Sequence, residues 1–231
     1  MPAVIAFVSQ KGGVGKSTLA RALAAVCSHA GLDVVLADLD PRQQTLVQWQ
    51  KARTAQRVSP RLSVEPFDDA AEAVIERADA CDLLILDTPG GVNDDTLAVA
   101  RTAHLIVQPT GLSLDDLHPA VLLFHELVAA GIPKSRLVAA LCRVLDDEEE
   151  ETAARAYLKE AGYEVLEGSI PESLTYRVAH NRGRSLTETN EQAFNERADA
   201  LIEALLTKVA AITSAADETE EPTRMPKGGA A

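Results

Sequence analysis

Two lysines bracket three glycines in Ser9-Gln10-Lys11-Gly12-Gly13-Val14-Gly15-Lys16-Ser17-Thr18, directly after the apolar run VIAFV. Residues of these types in this order can hold a triphosphate. Glycines let backbone N–H groups converge on phosphate oxygens, a helix N-terminus adds a favourable dipole, and the Lys16 ammonium meets the outer phosphates. The Ser17 hydroxyl beside it is placed to hold Mg2+. Carboxylates close two later apolar runs: Asp38 and Asp40 in VVLADLDP, and Asp87 in LLILDTPGG. At the C-terminal end of a buried strand a carboxylate borders the ligand crevice of an open α/β sheet, where Asp87 can hold a metal through water.

These residues need strands to aim them and helices to cover the strands. Short apolar runs alternate with segments of helical period, the pattern of βα units around a parallel sheet. Strands are expected near 3–8, 33–38, 82–87, 103–108, 136–144 and 164–169, with a weaker one at 62–66. Helices are expected near 16–30, 42–53, 69–79, 94–101, 113–130, 149–161 and 191–212. The fold class is therefore α/β: a mostly parallel twisted sheet flanked by helices on both faces. Gly31 and Gly131 suit the left-handed stop after a helix, and Ser113 with Asp116 resembles an N-terminal cap. Residues 1–213 read as one domain and 214–231 as an acidic, disordered tail rich in Pro and Gly. The acidic run Asp146–Glu151 reads as a helix start complementing the dipole.

Composition narrows the function. The 231 residues are 46% hydrophobic but only 3% aromatic, so Ala, Leu, Val and Ile must build the core. A net charge of -13 excludes a protein that coats nucleic acid over its whole surface and confines any polyanion site to one face. Cys27, Cys81 and Cys142 form no C-x-x-C pair, which argues against zinc, iron–sulfur or disulfide frameworks. With no signal-like or spanning apolar segment, the expected location is the cytoplasm.

KGGVGKS departs from the plain phosphate-loop pattern in its extra lysine, and there it resembles the deviant Walker A motif of the ParA/MinD family of partition and positioning ATPases. Asp38-Leu39-Asp40-Pro41, Asp87-Thr88-Pro89 and the later segment IPESLTYRVAHNRGRSLTE are similar to the family's other landmarks, over about residues 3–212. The resemblance implies ATP and Mg2+ as cofactors. Gly12, Gly13, Val14, Gly15, Lys16, Ser17 and Thr18 would enclose the phosphates, with Ser17, Asp38 and Asp87 at the metal. Asp40 would orient the attacking water. Lys11 would reach across an ATP-sandwich dimer to the partner's phosphates, with Gly12 and Gly13 where the two loops approach. Pro171 and Glu172 would border the adenine. Arg42 stands where the family usually has Gln, and Gly90-Gly91 replace a second proline, implying a looser second switch loop.

The family divides by what the dimer grips. Membrane-bound MinD-type members end in a basic amphipathic helix, whereas this chain ends in acids. ParA-type members hold nucleoid DNA without sequence preference, which needs a local basic cluster. Arg177, His180, Arg182 and Arg184 read as the densest basic segment, with the three arginines as DNA contacts. The expected system is a homodimer when ATP-bound, associated with the nucleoid and stimulated by a ParB-type adaptor carrying a basic N-terminal segment. Its cargo would be a plasmid, a chromosome or a protein assembly. The alternatives are a MinD-like membrane-associated ATPase and a soluble ligase of the dethiobiotin synthetase type; a nitrogenase-reductase-like protein would need paired cluster cysteines.

Overall fold

A computed structural model of the chain describes residues 2–77, 79–91, 95–145 and 147–220. Asp146 of the acidic run and residues 221–231 of the expected tail lie outside the described residues.

Apolar runs rich in Val, Ile and Leu become strands because they are buried on both faces. They are β1 (Ala3–Phe7), β2 (Val34–Asp38), β3 (Ser63–Pro66), β4 (Leu83–Asp87), β5 (Leu105–Thr110), β6 (Leu137–Val144), β7 (Glu164–Val165) and β8 (Ile170–Pro171). All pair parallel in one sheet of order β3-β2-β4-β1-β5-β6-β7, with β8 beside the end of β6. The chain crosses from β1 to β2 on one side and from β4 to β5 on the other, so the carboxyl ends of β1 and β4 form the switch point where such sheets bind ligands.

The period-2 alternation of strand side chains sorts the core into two layers. On one face Val4, Ala6, Leu84, Leu86 and Ile106 pack under α3 (Ala70–Arg77), α4 (Asp95–Thr102), α5 (Leu114–Ala129) and α6 (Glu148–Glu160). On the other, Ile5, Phe7, Leu36, Ile85 and Leu105 pack under α1 (Lys16–His29), α2 (Thr45–Ala55), α7 (Leu174–Asn181) and α8 (Gln192–Glu220). Leu201, Ile202 and Leu205 of α8 are fully buried there, which makes that apolar stripe core. Asp147 accepts the backbone N–H groups of Glu149 and Glu150, so the acidic run starts a helix as expected.

Several elements differ from the sequence reading; the strand expected near 164–169, for one, is two short strands, β7 and β8. The short α7 was not anticipated; Ser173 starts it by accepting the N–H of Thr175. α2 begins at Thr45, not near 42, because residues 40–44 turn around the Asp40 side chain. The backbone of α8 runs to Glu220, through residues assigned to the tail, because a helix already nucleated propagates cheaply through AITSAADETE, which lacks Gly and Pro.

Sequence-distant parts of one face are joined by Arg53 of α2, which is 2% exposed. It makes a two-pronged pair with Glu188 at 2.7 and 2.8 Å and donates to the carbonyls of Gly183 and Pro60. Gly183 has φ +71, and a Cβ there would overlap the Arg53 backbone. Gly183→Ala is therefore expected to destabilise the fold by about 2 kcal/mol or more. Urea unfolding monitored by circular dichroism checks it, and an unchanged midpoint would refute the packing argument.

Candidate functional site

β1 ends at Phe7, and the following loop enters α1 through Gly15, whose φ of +118 suits glycine. No side chain caps α1, and the first intrahelical bond runs from Leu19 N–H to Gly15. The N–H groups ahead of it are free to receive an anion. Lys16 is buried beside Asp87 and Asp40; burial holds its pKa below the usual lysine range while the two acids oppose the shift.

Register places Asp38 directly opposite Asp87 at the ends of β2 and β4. Asp87 accepts a hydrogen bond from the Ser17 hydroxyl, and its Oδ1 is buried without a partner. Burial pushes its carboxyl up to about 7, opposed by Ser17, Arg21 and Lys16. An orphaned carboxylate oxygen beside a hydroxyl at a helix N-terminus fits a hydrated divalent cation such as Mg2+, which Ser17 and Asp87 would hold. Asp38, expected near the metal, lies opposite Asp87 with both carboxyl oxygens on backbone donors. Its Oδ1 accepts Asp40 N–H and its Oδ2 accepts Leu46 and Val47 N–H at 3.0 and 3.2 Å, so it caps α2 across eight residues of chain. With three backbone donors on it, Asp38 positions the loop that carries Asp40.

Gly90 approaches the phosphate loop so closely that a Cβ would lie 2.9 Å from the Gly12 Cα. The second switch loop is thus tighter at this point than the missing proline suggested. Lys11 points elsewhere. Its ammonium pairs with the Asp116 carboxylate and contacts the Asp115 carbonyl at the start of α5. Ser113 does not cap α5 through its side chain; its hydroxyl donates to Asp116, which Lys11 already occupies.

A cavity of about 400 Å3 opens from Gly13, Gly15 and Thr18 toward Pro171 and Glu172. Its wall includes Arg143, at φ +58 where β6 bulges, which donates to Glu172 at 2.7 Å and to the Gly13 carbonyl at 3.5 Å. This cavity continues from the phosphate loop with room for a nucleoside.

Residues 5–186 match the profile of the CobQ/CobB/MinD/ParA nucleotide binding domain. The chain belongs to that family. Among relatives, the chromosome-partitioning ATPase Soj of Thermus thermophilus is 28% identical over 80% of this chain and 87% of its own. The maintenance of carboxysome distribution protein A of Gloeobacter kilaueensis is 29% identical over 81% of this chain and 85% of its own. The septum site-determining protein MinD of Pyrococcus horikoshii, solved with Mg-ADP, superposes with a TM-score of 0.70 at 16% identity, covering 96% of this chain and all of that one. Members of the MinD/ParA family are ATPases that use ATP and Mg2+, form ATP-dependent dimers and act with partners, and this chain is an ATPase of that family. Among the described residues no helix is long and apolar enough to cross a membrane.

The geometry gathers Lys16, Ser17, Asp40 and Asp87 at one point and leaves Lys11 at the rim. Arg177 lines the nucleoside-sized cavity, whereas Arg182 and Arg184 border a separate pocket, Arg184 donating to the Glu188 carbonyl, so the three expected DNA contacts divide between two places. His180 is no cation: burial and Arg21 push its pKa down to about 4. Sequence reading missed Arg21, buried over Trp49 at 5.2 Å and donating to the Thr45 carbonyl, although its spacing of four from Ser17 puts both on one helix face. Arg143 carries no sequence signal, because its place depends on the bulge.

Three outcomes are expected. Lys16→Ala should abolish nucleotide binding by fluorescent-ATP titration, while Asp87→Asn should keep the nucleotide-free fold at least as stable and lose the extra thermal stabilisation that Mg2+ adds to ATP. For His180, a folded-state pKa below the unfolded value near 6.5 means stability is full above about 6.5 and falls as pH drops toward 4. Arg21 from α1 faces it, and Arg177 and Glu172 border the same cavity. His180→Gln should flatten that slope in pH-resolved unfolding; an unaltered slope would remove His180 from the account.

Proposed function

We propose that this chain is an ATP-driven partition switch: two ATP-bound copies close face to face, the dimer holds duplex DNA without sequence preference, and hydrolysis releases it. Turnover is slow alone and accelerated by a small DNA-binding adaptor with a basic N-terminal segment. The cargo is a plasmid, a chromosome or a protein assembly, in keeping with what Soj and the carboxysome distribution protein are named for.

The observation that carries this reading is the division of labour between two lysines. Lys16 is buried against Asp87 and serves the chain's own phosphates, whereas the Lys11 side chain is 47% exposed and held by Asp116, outside the carboxylate cluster. A cation at the rim is free to exchange Asp116 for a triphosphate presented by a second copy. Mg2+, when bound, offsets charge on the phosphate oxygens. Asp40 engages Arg42 and Gln43 N–H through Oδ1 alone, so its other oxygen can orient the water that attacks the terminal phosphate. Membrane attachment is disfavoured because α8 carries no Lys or Arg after Lys208 as far as Glu220.

Asp40→Ala should bind ATP, lose turnover and accumulate as dimer. Lys11→Ala should bind ATP as a monomer. Light scattering with a non-hydrolysable ATP analogue decides: a Lys11→Ala protein that dimerises like the native chain would defeat the proposal.

A further inference from the structure

Between Asp40 and Glu65 the chain has Arg42, Lys51, Arg53, Arg57 and Arg61 and not one acid, in a protein of net charge -13. A second acid-free stretch lies between Glu172 and Glu188 and holds Arg177, Arg182 and Arg184. More than a hundred residues of sequence separate the two, but the fold joins them. The buried Arg53 guanidinium donates on one side to the carbonyl of Pro60, next to Arg61, and on the other to the carbonyl of Gly183, between Arg182 and Arg184. Trp49 of α2 also donates to the Arg184 carbonyl.

Arg53 is consumed by Glu188, and its neighbours are left over. Lys51, Arg57, Arg61 and Arg182 are exposed, and no ion pair or side-chain hydrogen bond engages them among the described residues. A cleft of about 500 Å3, bordered by Gln50, Thr54, Arg57 and Arg61, opens between the end of α2 and the following loop.

Arg57 supplies an independent sign. The last carbonyls of α2 are closed by the N–H groups of Gln56, Arg57 and Val58, which puts Arg57 in the left-handed position after the helix at φ +53. Glycine takes that position without strain; a side chain does not. The chain holds an arginine at a place where it costs stability, on the rim of the cleft. Strained positions of this kind cluster at functional sites.

We propose that the end of α2, the loop 57–61 and Arg182 form a phosphate-gripping surface for duplex DNA, one on each subunit. The proposal rests on the DNA reading above; of the three arginines expected there it keeps Arg182, and it adds the end of α2 and the loop that follows. Guanidinium groups suit phosphate geometry, and four cations with no ion pair among the described residues, carried on two stretches of sequence without acids, can act locally despite the overall charge and the nearby Glu188 and Glu191. A lipid surface fits less well. Among the described residues the exposed large apolar side chains are Leu32, Ile75, Leu114, Leu122, Leu145, Leu174 and Val178; only Leu174 and Val178 come near a cation of this surface, in the pocket they share with Arg182, and none lies on α2 or the loop 57–61 to enter a bilayer.

The test compares native protein, Arg57→Gly and Arg57→Glu/Arg61→Glu with ATP on a random-sequence duplex across a salt series, beside ATP turnover without DNA and thermal unfolding. The double variant should bind roughly tenfold or more weakly at low salt, with the log–log salt slope reduced by about 0.9 for each phosphate no longer neutralised and turnover unchanged. Arg57→Gly should unfold at or above the native temperature yet bind DNA more weakly, a combination that a structural role for Arg57 would not produce. If native protein holds duplex and the double variant holds it equally with the same slope, this surface is wrong and the DNA reading stands. If native ATP-bound protein holds no duplex, the DNA reading fails and takes the surface with it. Tighter binding to vesicles of anionic phospholipid than to duplex would overturn the assignment in favour of a membrane.

Discussion

Asp38 and Asp87 stand opposite each other at the ends of adjacent strands, and the site is arranged around having two acids there. Neighbouring strands lie about 5 Å apart, a separation at which like charges repel by a few kcal/mol at the dielectric typical of such sites. The fold offsets this in two ways. Asp38 is given three backbone N–H groups, which favour its ionised form against burial. Asp87 is given Lys16, Arg21 and Ser17, and one oxygen is left for a cation from solution. The cations that answer these acids come from α1, so the phosphate loop, the helix behind it and both carboxylate strands form one electrostatic unit. Nucleotide and metal are completions of that unit.

Much of this was legible in the chain. Continuous apolar runs ending in acids announce buried parallel strands, and the glycine loop between such a strand and an amphipathic segment announces a phosphate site, because both patterns are local. What escaped is what depends on contact between distant segments. Asp38 as a cap for α2 requires knowing that the loop folds back over eight residues. Arg53 sits in no motif; its role exists only because Gly183, Glu188 and Pro60 converge on it. α7 is too short to show a period, and its basic residues look like one patch until the fold turns Arg177 to the nucleoside-sized cavity and half-buries His180. Gly90 reads as a relaxed substitute for proline and is in fact a point of close backbone approach.

Lys11 and Lys16 illustrate how identical side chains diverge in role through surroundings alone. One is enclosed by protein and faces two carboxylates; the other is half exposed with one acid at the start of α5. The first interaction strengthens with the low dielectric around it, and the second is screened by salt and exchanges readily. An exchangeable contact suits a group whose proposed partner arrives from another molecule.

The same α2 helix is fastened at both ends, to Asp38 at its start and to Glu188, Gly183 and Pro60 through Arg53 near its finish. Its 11 residues span about 16 Å, and a helix so clamped moves as a rod. A tilt of about 10° imposed where the Asp38–Asp40 loop meets the phosphates would carry the far end by about 3 Å, a lever arm given by the helix length. Pro60 and Gly183 would travel with it, since both are fastened to Arg53. The rod thus offers a mechanical line from the chemistry at the carboxyl ends of the strands to a surface at the opposite end of α2.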